Sequence, residues 1–352
     1  MPSRDAIPVG VLGATGTVGQ ELVRLLAGHP WFRLAELGAS PASAGRPYVE
    51  AVRWRLPVPI PEDAAGLVVK DVHGPWESPL LFSALDPDVA GPLEEALARR
   101  GHVVVSNAKS HRLDPDVPLL VPEVNPEHLG LLERQRPRWP GAIVTNPNCS
   151  AIGLVLALAP LHRTFGVRAV HVVTLQSLSG AGYPGVPALD AADNVLPYIA
   201  DEEEKLAAEP PKILGEYTRD GIAAAPIAIS AQAHRVPVTD GHLLAVSVRL
   251  ARAASLDEVA TTLREFRGRP QELRLPTAPE RPLHLLPQPD RPQPRLDRDR
   301  ERGMAVAVGR LRPCAVLDYR FSALVHNTVR GAAGAALLNA ELLCADGRLP
   351  TP

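Results

Sequence analysis

Cys149 stands in the stretch Asn146-Pro147-Asn148-Cys149-Ser150. The short β-branched run Ala142 to Thr145 precedes it, and an apolar run of helix formers, Ala151 to Leu158, follows. This pattern predicts a strand, a turn and a helix, with the thiol at or beside a helix N-terminus. The first N–H groups of a helix have no partner inside it, and the aligned peptide dipoles make that end positive. A sulfur there is expected to be held as the thiolate, and the neighbouring N–H groups are expected to hold an oxyanion formed beside it. Nucleophilic catalysis is the chemistry such a group can perform. A small buried cysteine, packed as a hydrophobe, is the other reading of this residue taken alone.

Other side chains could serve such a nucleophile. Gln176 shares one face of a long alternating strand, Val167 to Ser177, with Val170, Val172 and Thr174, and it precedes Ser179-Gly180-Ala181-Gly182. An amide there either orients a substrate or faces water at a sheet edge. The stretch His234-Arg235-Val236-Pro237-Val238-Thr239-Asp240-Gly241-His242 turns at Asp240-Gly241. His242 shares the parity of Leu244, Val246, Val248 and Leu250, so it stands at the mouth of a strand, with Arg235 across the turn. Asp201-Glu202-Glu203-Glu204-Lys205 opens a helix with carboxylates suited to its dipole, or simply a solvated acidic face.

These groups need a scaffold. Ile7 to Leu12 reads as a buried strand running into Gly13-Ala14-Thr15-Gly16-Thr17-Val18-Gly19. A helix follows, with Val18, Leu22, Leu25 and Leu26 on its apolar face and Gln20, Glu21 and Arg24 opposite. Glycines at the first, fourth and seventh positions of a strand-to-helix turn let the backbone approach phosphate oxygens; a plain tight turn is the alternative. The next strand, Arg33 to Leu37, leads into Gly38 to Arg46 with no carboxylate to take a ribose hydroxyl. Hydroxyls at Ser40 and Ser43 and a cation at Arg46 suit a 2′-phosphate, which favours NADP, although Arg46 fits a surface turn equally well. Strands at Leu67 to Val69, Leu80 to Ala84 and His102 to Ser106, with a helix over Leu93 to Arg100, predict a parallel, doubly wound sheet. Asn107, Lys109, His111 and Arg112 lie on the turn after a strand's carboxyl end, where open α/β sheets bind ligands; a solvated cluster is the alternative.

Beyond Gln176 the pattern changes. Leu189 to Ile199 reads as a helix, Ala223 to Ala233 as a strand, and Ser255-Leu256-Asp257-Glu258 as a capping box opening a helix. Successive strands predict a second, largely antiparallel sheet. Pro270 to Arg300 is rich in proline and arginine and reads as a loop, an arm or an oligomer contact. A last helix starts near His326-Asn327-Thr328, with Asn327 as its N-cap and a small-residue run from Gly331 to Ala336. Returned to the first domain, it would bring Asn327 near a cofactor.

At 352 residues two domains are expected. A net charge of -2 offers nucleic acid or an anionic membrane no electrostatic hold. No stretch is long and apolar enough to span a bilayer, and no basic-then-apolar leader is visible. Cys149, Cys314 and Cys344 are widely spaced and odd in number, so neither a metal site nor a disulfide framework is expected, and a reducing cytoplasm fits.

On these residues the chain resembles aspartate-semialdehyde dehydrogenase, in the branch typical of archaea and fungi. The likeness covers nearly the whole length and rests on GATGTVG, NPNCSAIG, SGAGYPGVPALDAADNVLPYI, EEEK, HRVPVTDGH, DRPQPRLDRD and HNTVRGAAGA. It implies an N-terminal NADP-binding Rossmann domain over 1–148, completed by the C-terminal helix at about 326–352, and an α+β catalytic and dimerisation domain over 149–325. It implies that Cys149 is the nucleophile, Gln176 orients the acyl group, Arg235 grips the α-carboxylate and His242 is the general acid/base. Asn107, Arg112 and Lys205 would hold phosphate, and Glu202 the substrate amine, with Glu203 and Glu204 as alternatives beside it. Gly13, Thr15, Gly16, Thr17, Val18, Gly19, Ser40, Ser43 and Asn327 would contact NADP. The implied reaction is NADPH-dependent reductive dephosphorylation of L-aspartyl 4-phosphate to L-aspartate 4-semialdehyde through a cysteine thioester. It leads towards lysine, diaminopimelate, threonine, methionine and isoleucine, in a homodimer or homotetramer. Two rivals keep the fold: a malonyl-CoA reductase-like acyl-CoA reductase, and a non-catalytic NADP-binding protein. The intact set of Cys149, Gln176, Arg235 and His242 weighs against the second.

Overall fold

The computed structural model describes residues 6–349; residues 1–5 and 350–352, the outer ends of the expected first domain, lie outside the described residues. The first sheet contains β1 (Ile7–Leu12), β2 (Phe32–Ala39), β3 (Val69–Asp71), β4 (Leu80–Ser83), β5 (Val103–Ser106) and β6 (Ala142–Thr145). Its order is β3-β2-β1-β4-β5-β6 and every pair is parallel. Runs such as Val103-Val104-Val105 are apolar throughout because both faces are covered. Val103, Val105 and Phe82 face a core shared with Leu22, Leu26, Leu337 and Leu338, while Val104, Leu81 and Ile143 face Leu93 and Leu97. The strand order reverses at β1 and β4, which opens a crevice at their carboxyl ends.

Some element ends shift from expectation. The third strand is Val69–Asp71, and the helix expected from Leu93 begins at Pro87, in a first turn where a proline lacks no needed N–H. In the helix Thr17–Leu26, Gln20 and Glu21 are buried and not on a solvent face. The Gln20 amide donates to the carbonyls of Thr15 and Arg53 and accepts from the Arg55 N–H, partners that no helical period reveals.

The second sheet runs β10-β7-β11-β14-β13-β12. Its strands are β7 (Val167–Gln176), β10 (Ala228–Arg235), β11 (His242–Leu250), β12 (Leu283–Leu286), β13 (Val306–Pro313) and β14 (Tyr319–Val325); β8 (Glu216–Thr218) and β9 (Gly221–Ala223) form a separate hairpin. The β7–β11, β11–β14 and β13–β14 pairs are antiparallel, and the two outer pairs are parallel. The alternation in β7 and β11 turns one face onto the cysteine helix, Cys149–Phe165. The capping box at Ser255 is formed and opens the helix Leu256–Glu265.

Two expected elements are replaced. Leu189 to Ile199 makes one helical turn, Ala188–Ala191; Asp193 then takes a φ of 53°, Pro197 follows, and Leu189 is left 92% exposed. Ala223 to Ala233 is interrupted around Pro226, which has no N–H for a ladder, and β10 starts at Ala228. Pro270 to Arg300 contains β12 and a turn at Pro294–Asp297, where Asp297 binds Arg291, Arg300 and the Gln293 N–H.

The chain ends by returning to the first sheet through a π-helical turn, Val329–Ala333, and the helix Gly334–Ala345. Asn327 does not cap it: the helical segment starts after Thr328, and the Asn327 side chain is engaged elsewhere. The small residues admit close contact, since a Cβ at Gly331 would lie 2.7 Å from the Cys149 Cβ. Among the described residues no helix is long and apolar enough to cross a membrane.

Candidate active site

Strand register gathers residues that are distant in sequence. Arg235 lies opposite Gln176 across the parallel β10–β7 pair, and Leu243 lies opposite Leu175 across β11–β7, which sets His242 beside Gln176. His242 also pairs with Val325 at the end of β14, so Asn327 leaves from the same end of the sheet. From the first sheet, β5 and β6 deliver Asn107 and the Asn146–Cys149 turn. Asn146 Nδ2 donates to Asn107 Oδ1 at 2.8 Å. The two sheets meet at Glu202, whose carboxylate accepts from Asn148 Nδ2 and Gln176 Nε2, each at 3.0 Å.

Cys149 is the first residue of its helix, but the tip is closed. Asn148 is the N-cap, and its Oδ1 accepts the N–H groups of Ser150 at 2.9 Å and Ala151 at 3.1 Å. Those N–H groups are therefore not open to an oxyanion. An asparagine directly before a helix carried this signal. The expected thiolate is not the resting form either. Cys149 keeps part of its surface open, yet the crowding protein atoms and then the Glu202 carboxylate push its thiol up to about 12, against Arg112 and Arg235.

The three neighbouring carboxylates separate cleanly. Glu202 is buried; Glu203 Oε1 accepts the Ala233 N–H at 2.9 Å; Glu204 is exposed. Burial opposes ionisation of Glu202, but Lys205 at 2.9 Å and the donors from Gln176 and Asn148 outweigh it and hold the carboxyl below its ordinary range. Removing that charge should favour the thiolate. Glu202→Gln is expected to raise the rate of Cys149 alkylation by iodoacetamide in the free protein at neutral pH by roughly three- to tenfold, tenfold being one pKa unit. An unchanged rate would show that the carboxylate does not govern the sulfur.

Arg235 is buried and donates from Nη1 to the Ser177 carbonyl at 2.7 Å. Burial, and then Arg235, push His242 down to about 3, so its ring is neutral. The backbone of Gly180 lies against both: a Cβ there would come 2.8 Å from Arg235 Nη1 and 3.0 Å from His242 Nε2. Gly180→Ala should displace these groups and lower kcat/KM by up to ~10²-fold, the scale of an ångström misplacement. Thermal melting alongside steady-state rates checks this; a normal kcat/KM would mean that the neighbours yield freely.

The cations have found partners. Arg112 donates to Glu209 Oε1 at 2.9 Å and to the Asn107 carbonyl at 2.8 Å, while its buried Nε has no partner among the described residues. Lys109 pairs with Asp201 at the surface. Beside them a cavity of about 630 Å³ is lined by Gly13, Thr15, Gly16, Thr17, Val18, Ser40 and Asn107. Gly13 has a φ of 77°, and a Cβ on it would strike the Ala84 carbonyl at 2.5 Å; one on Gly19 would strike the Gly13 carbonyl at 2.1 Å. Both glycines are thus required by backbone contact, and the loop fits a pyrophosphate at a helix N-terminus.

Residues 8–132 match the family model described as semialdehyde dehydrogenase, NAD binding domain, and residues 158–330 match semialdehyde dehydrogenase, dimerisation domain. The chain is 48% identical to the aspartate-semialdehyde dehydrogenase of Archaeoglobus fulgidus over 95% of its own length and 97% of that protein's. It belongs to the aspartate-semialdehyde dehydrogenase family. A fungal aspartate-semialdehyde dehydrogenase, from Cryptococcus neoformans, is 48% identical over 99% of each chain. The crystal structure of aspartate-semialdehyde dehydrogenase with NADP from Candida albicans matches with a TM-score of 0.91 at 43% identity, over 97% of this chain and 99% of that one.

Not every residue assigned through the resemblance to aspartate-semialdehyde dehydrogenase reaches the cavity wall. Gly19 lies beneath the loop. Ser43 closes a turn by donating its N–H to the Ser40 carbonyl at 2.9 Å, and Arg46 donates to the Glu50 carbonyl. Asn327 is buried among Ser177, Ser179 and Gly241. Conversely Arg55, His73 and Tyr183 line the cavity without having been anticipated. The Arg55 guanidinium sits 3.3 Å from the centroid of the Tyr183 ring, and Arg53 donates to the Tyr183 hydroxyl. Their only sequence signal is a pair of arginines and a distant aromatic residue, which is common at surfaces.

Proposed function

We propose that this protein reduces L-aspartyl 4-phosphate to L-aspartate 4-semialdehyde, releasing phosphate, in lysine, threonine, methionine and isoleucine biosynthesis. The observation that carries this is the meeting of Gln176, Arg235 and His242 from one sheet end with the Cys149 turn, bridged by Glu202. The Cys149 sulfur attacks the acyl carbon, the C–O bond to phosphate breaks, and a thioester forms. Arg235 offers a guanidinium fork to the α-carboxylate. Glu202 takes the substrate ammonium, which neutralises the carboxylate that opposes the thiolate. Gln176 orients the acyl group, and Asn107, Arg112 and Lys205 receive phosphate. His242, as general acid/base, takes the Cys149 proton as the sulfur attacks and faces the acyl oxygen. NADPH, when bound, supplies hydride. Gly13, Thr15, Gly16, Thr17, Val18 and Ser40 hold that cofactor from the cavity wall, and Gly19, Ser43 and Asn327 act from behind it.

The nucleotide domain is residues 1–148 with about 326–352, and the catalytic and dimerisation domain is 149–325. We take the assembly as a homodimer or homotetramer in the cytoplasm, with small molecules as its other partners and neither nucleic acid nor membrane. Half-open apolar positions on the second sheet away from the cysteine helix, Val173, Leu175 and Leu243, support that pairing.

The phosphate-dependent reverse assay with aspartate semialdehyde tests the reading. No cofactor reduction would overturn it, and a CoA thioester working far better would reassign it to an acyl-CoA reductase. NADP should exceed NAD in kcat/KM by roughly 10–100-fold, the worth of a charge-assisted contact to the 2′-phosphate. Equal values would remove the role given to Ser40 and Ser43.

A further inference from the structure

We infer that Glu209 is a positioning residue for phosphate: its one carboxylate holds the Arg112 guanidinium and the backbone before Cys149 together, and so sets where phosphate sits relative to the sulfur. This deepens the reductase reading above and rests on it. Glu209 is buried, at 2% exposure. Its Oε1 accepts from Arg112 Nη1 at 2.9 Å, and its Oε2 accepts the Asn148 N–H at 2.6 Å. Arg112 Nη2 donates to the Asn107 carbonyl at 2.8 Å. Two of the three guanidinium nitrogens are thereby fixed. The third, Nε, is buried without a partner among the described residues. Native structures seldom leave such a donor unused, and a phosphate oxygen is an acceptor that a guanidinium fork matches.

One helix, Glu202–Ile213, carries the anchor. Glu202, Lys205 and Glu209 follow one another at helical spacing and share a face. That face grips Asn148 twice: Glu209 takes its N–H and Glu202 its side-chain Nδ2. The helix grips Arg112 twice as well, because Lys212 Nζ donates to the Arg112 carbonyl at 2.8 Å. Arg112 follows β5 and the nucleophile's turn follows β6, and Glu209 touches both connections. Arg112 is near enough to the sulfur to oppose the burial that raises the Cys149 thiol. Pairing with Glu209 offsets much of the arginine's free charge. What Arg112 offers phosphate is therefore direction more than attraction, and direction depends on the anchor.

The anchor has to be a carboxylate. A guanidinium and a backbone N–H both donate and cannot accept, so the group between them must accept on both oxygens. A glutamine would aim its NH2 at one of the two, and that contact would drive the side chain out of line. A free cation would behave oppositely: were Arg112 to meet phosphate by charge alone, removing the Glu209 charge would tighten binding. The sign of the change separates the two. In the forward reaction the C–O bond of the acyl phosphate breaks and phosphate leaves with the electron pair. In reverse a phosphate oxygen attacks the thioester carbon, the C–S bond breaks and its pair returns to sulfur. Both steps need that oxygen held in reach of the carbon.

Calorimetric titration of the NADP-saturated protein with inorganic phosphate, beside the reverse assay, tests this. Glu209→Gln should raise the phosphate Kd and the phosphate KM roughly tenfold, the worth of one charge-assisted hydrogen bond, and leave the semialdehyde KM and the NADP Kd as in the parent. Glu209→Asp, too short to span both donors, should move the phosphate constants the same way, and thermal melting verifies that each variant is folded. An unchanged or lower phosphate Kd in either folded variant would overturn the inference, as would a parent that binds no phosphate. A change confined to kcat, or an equal rise in the semialdehyde KM, would make Glu209 a packing residue and overturn it too. In an Arg112→Lys background, where the fork is already lost, Glu209→Gln should add nothing to the phosphate Kd; full additivity would show that it does not act through Arg112. Phosphate binding that follows these expectations in a protein without reverse activity would sink the reductase reading and leave the anchor standing.

Discussion

Cys149→Ala should lower turnover by at least ~10⁴-fold, the scale of losing a nucleophile that works as part of a unit, while the fold and cofactor binding persist. The substitution removes one sulfur atom and keeps the Cβ that meets Gly331. Alanine is the best helix former, and the helix retains its Asn148 cap. The cavity along β1, β2 and β4 is lined without the sulfur, so a nicotinamide nucleotide should bind as before. Reverse-assay rates, a fluorescence titration with NADPH and thermal melting together check this. A variant of near-normal rate would end the covalent route.

The second large effect concerns stability. Arg330 and Glu123 have fully buried side chains and form a bidentate pair at 2.8 and 2.6 Å. Arg330 lies on the returning π-helical turn, and Glu123 lies in the segment before β6. Arg330→Met should strand the Glu123 carboxylate without its partner, a loss of ~3–5 kcal/mol for a buried pair broken on one side. Replacing both, Arg330→Met with Glu123→Leu, should restore most of it, because the stranded charge and its desolvation go together. Activity of the single variant should fall as well, since Gly331, the next residue, packs against Cys149. Equilibrium denaturant unfolding measures this; a single variant as stable as the parent would show that the pair does not tie the C-terminal segment to the site.

Local signals sufficed where an element and its purpose are contiguous. The glycine loop between β1 and its helix, and the cysteine between β6 and the next, follow from neighbouring residues. The period of two in β7 and β11 specified the inward face on which Gln176 and His242 stand. Those signals failed where a distant partner decides. Gln20 is drawn inward by the backbone at Arg53 and Arg55. Leu189 to Ile199 has helical apolar spacing but, among the described residues, meets no surface that would bury Leu189 and Tyr198, and most of it is not helical. The cysteine's ionisation differs from expectation because a helix dipole is visible in sequence, whereas the crowding around the sulfur and a carboxylate far along the chain are not.

By itself, the order of residues determined which turn presents the sulfur, which side each central strand buries, and the kinship with one enzyme family. Tertiary structure alone decided that Glu202 and not its neighbours meets that turn, and that Arg330 closes on Glu123. The cause is common to both. Desolvation and hydrogen-bond satisfaction depend on what surrounds a group, and here the surroundings come from segments far apart along the chain, which meet only when the two sheets pack.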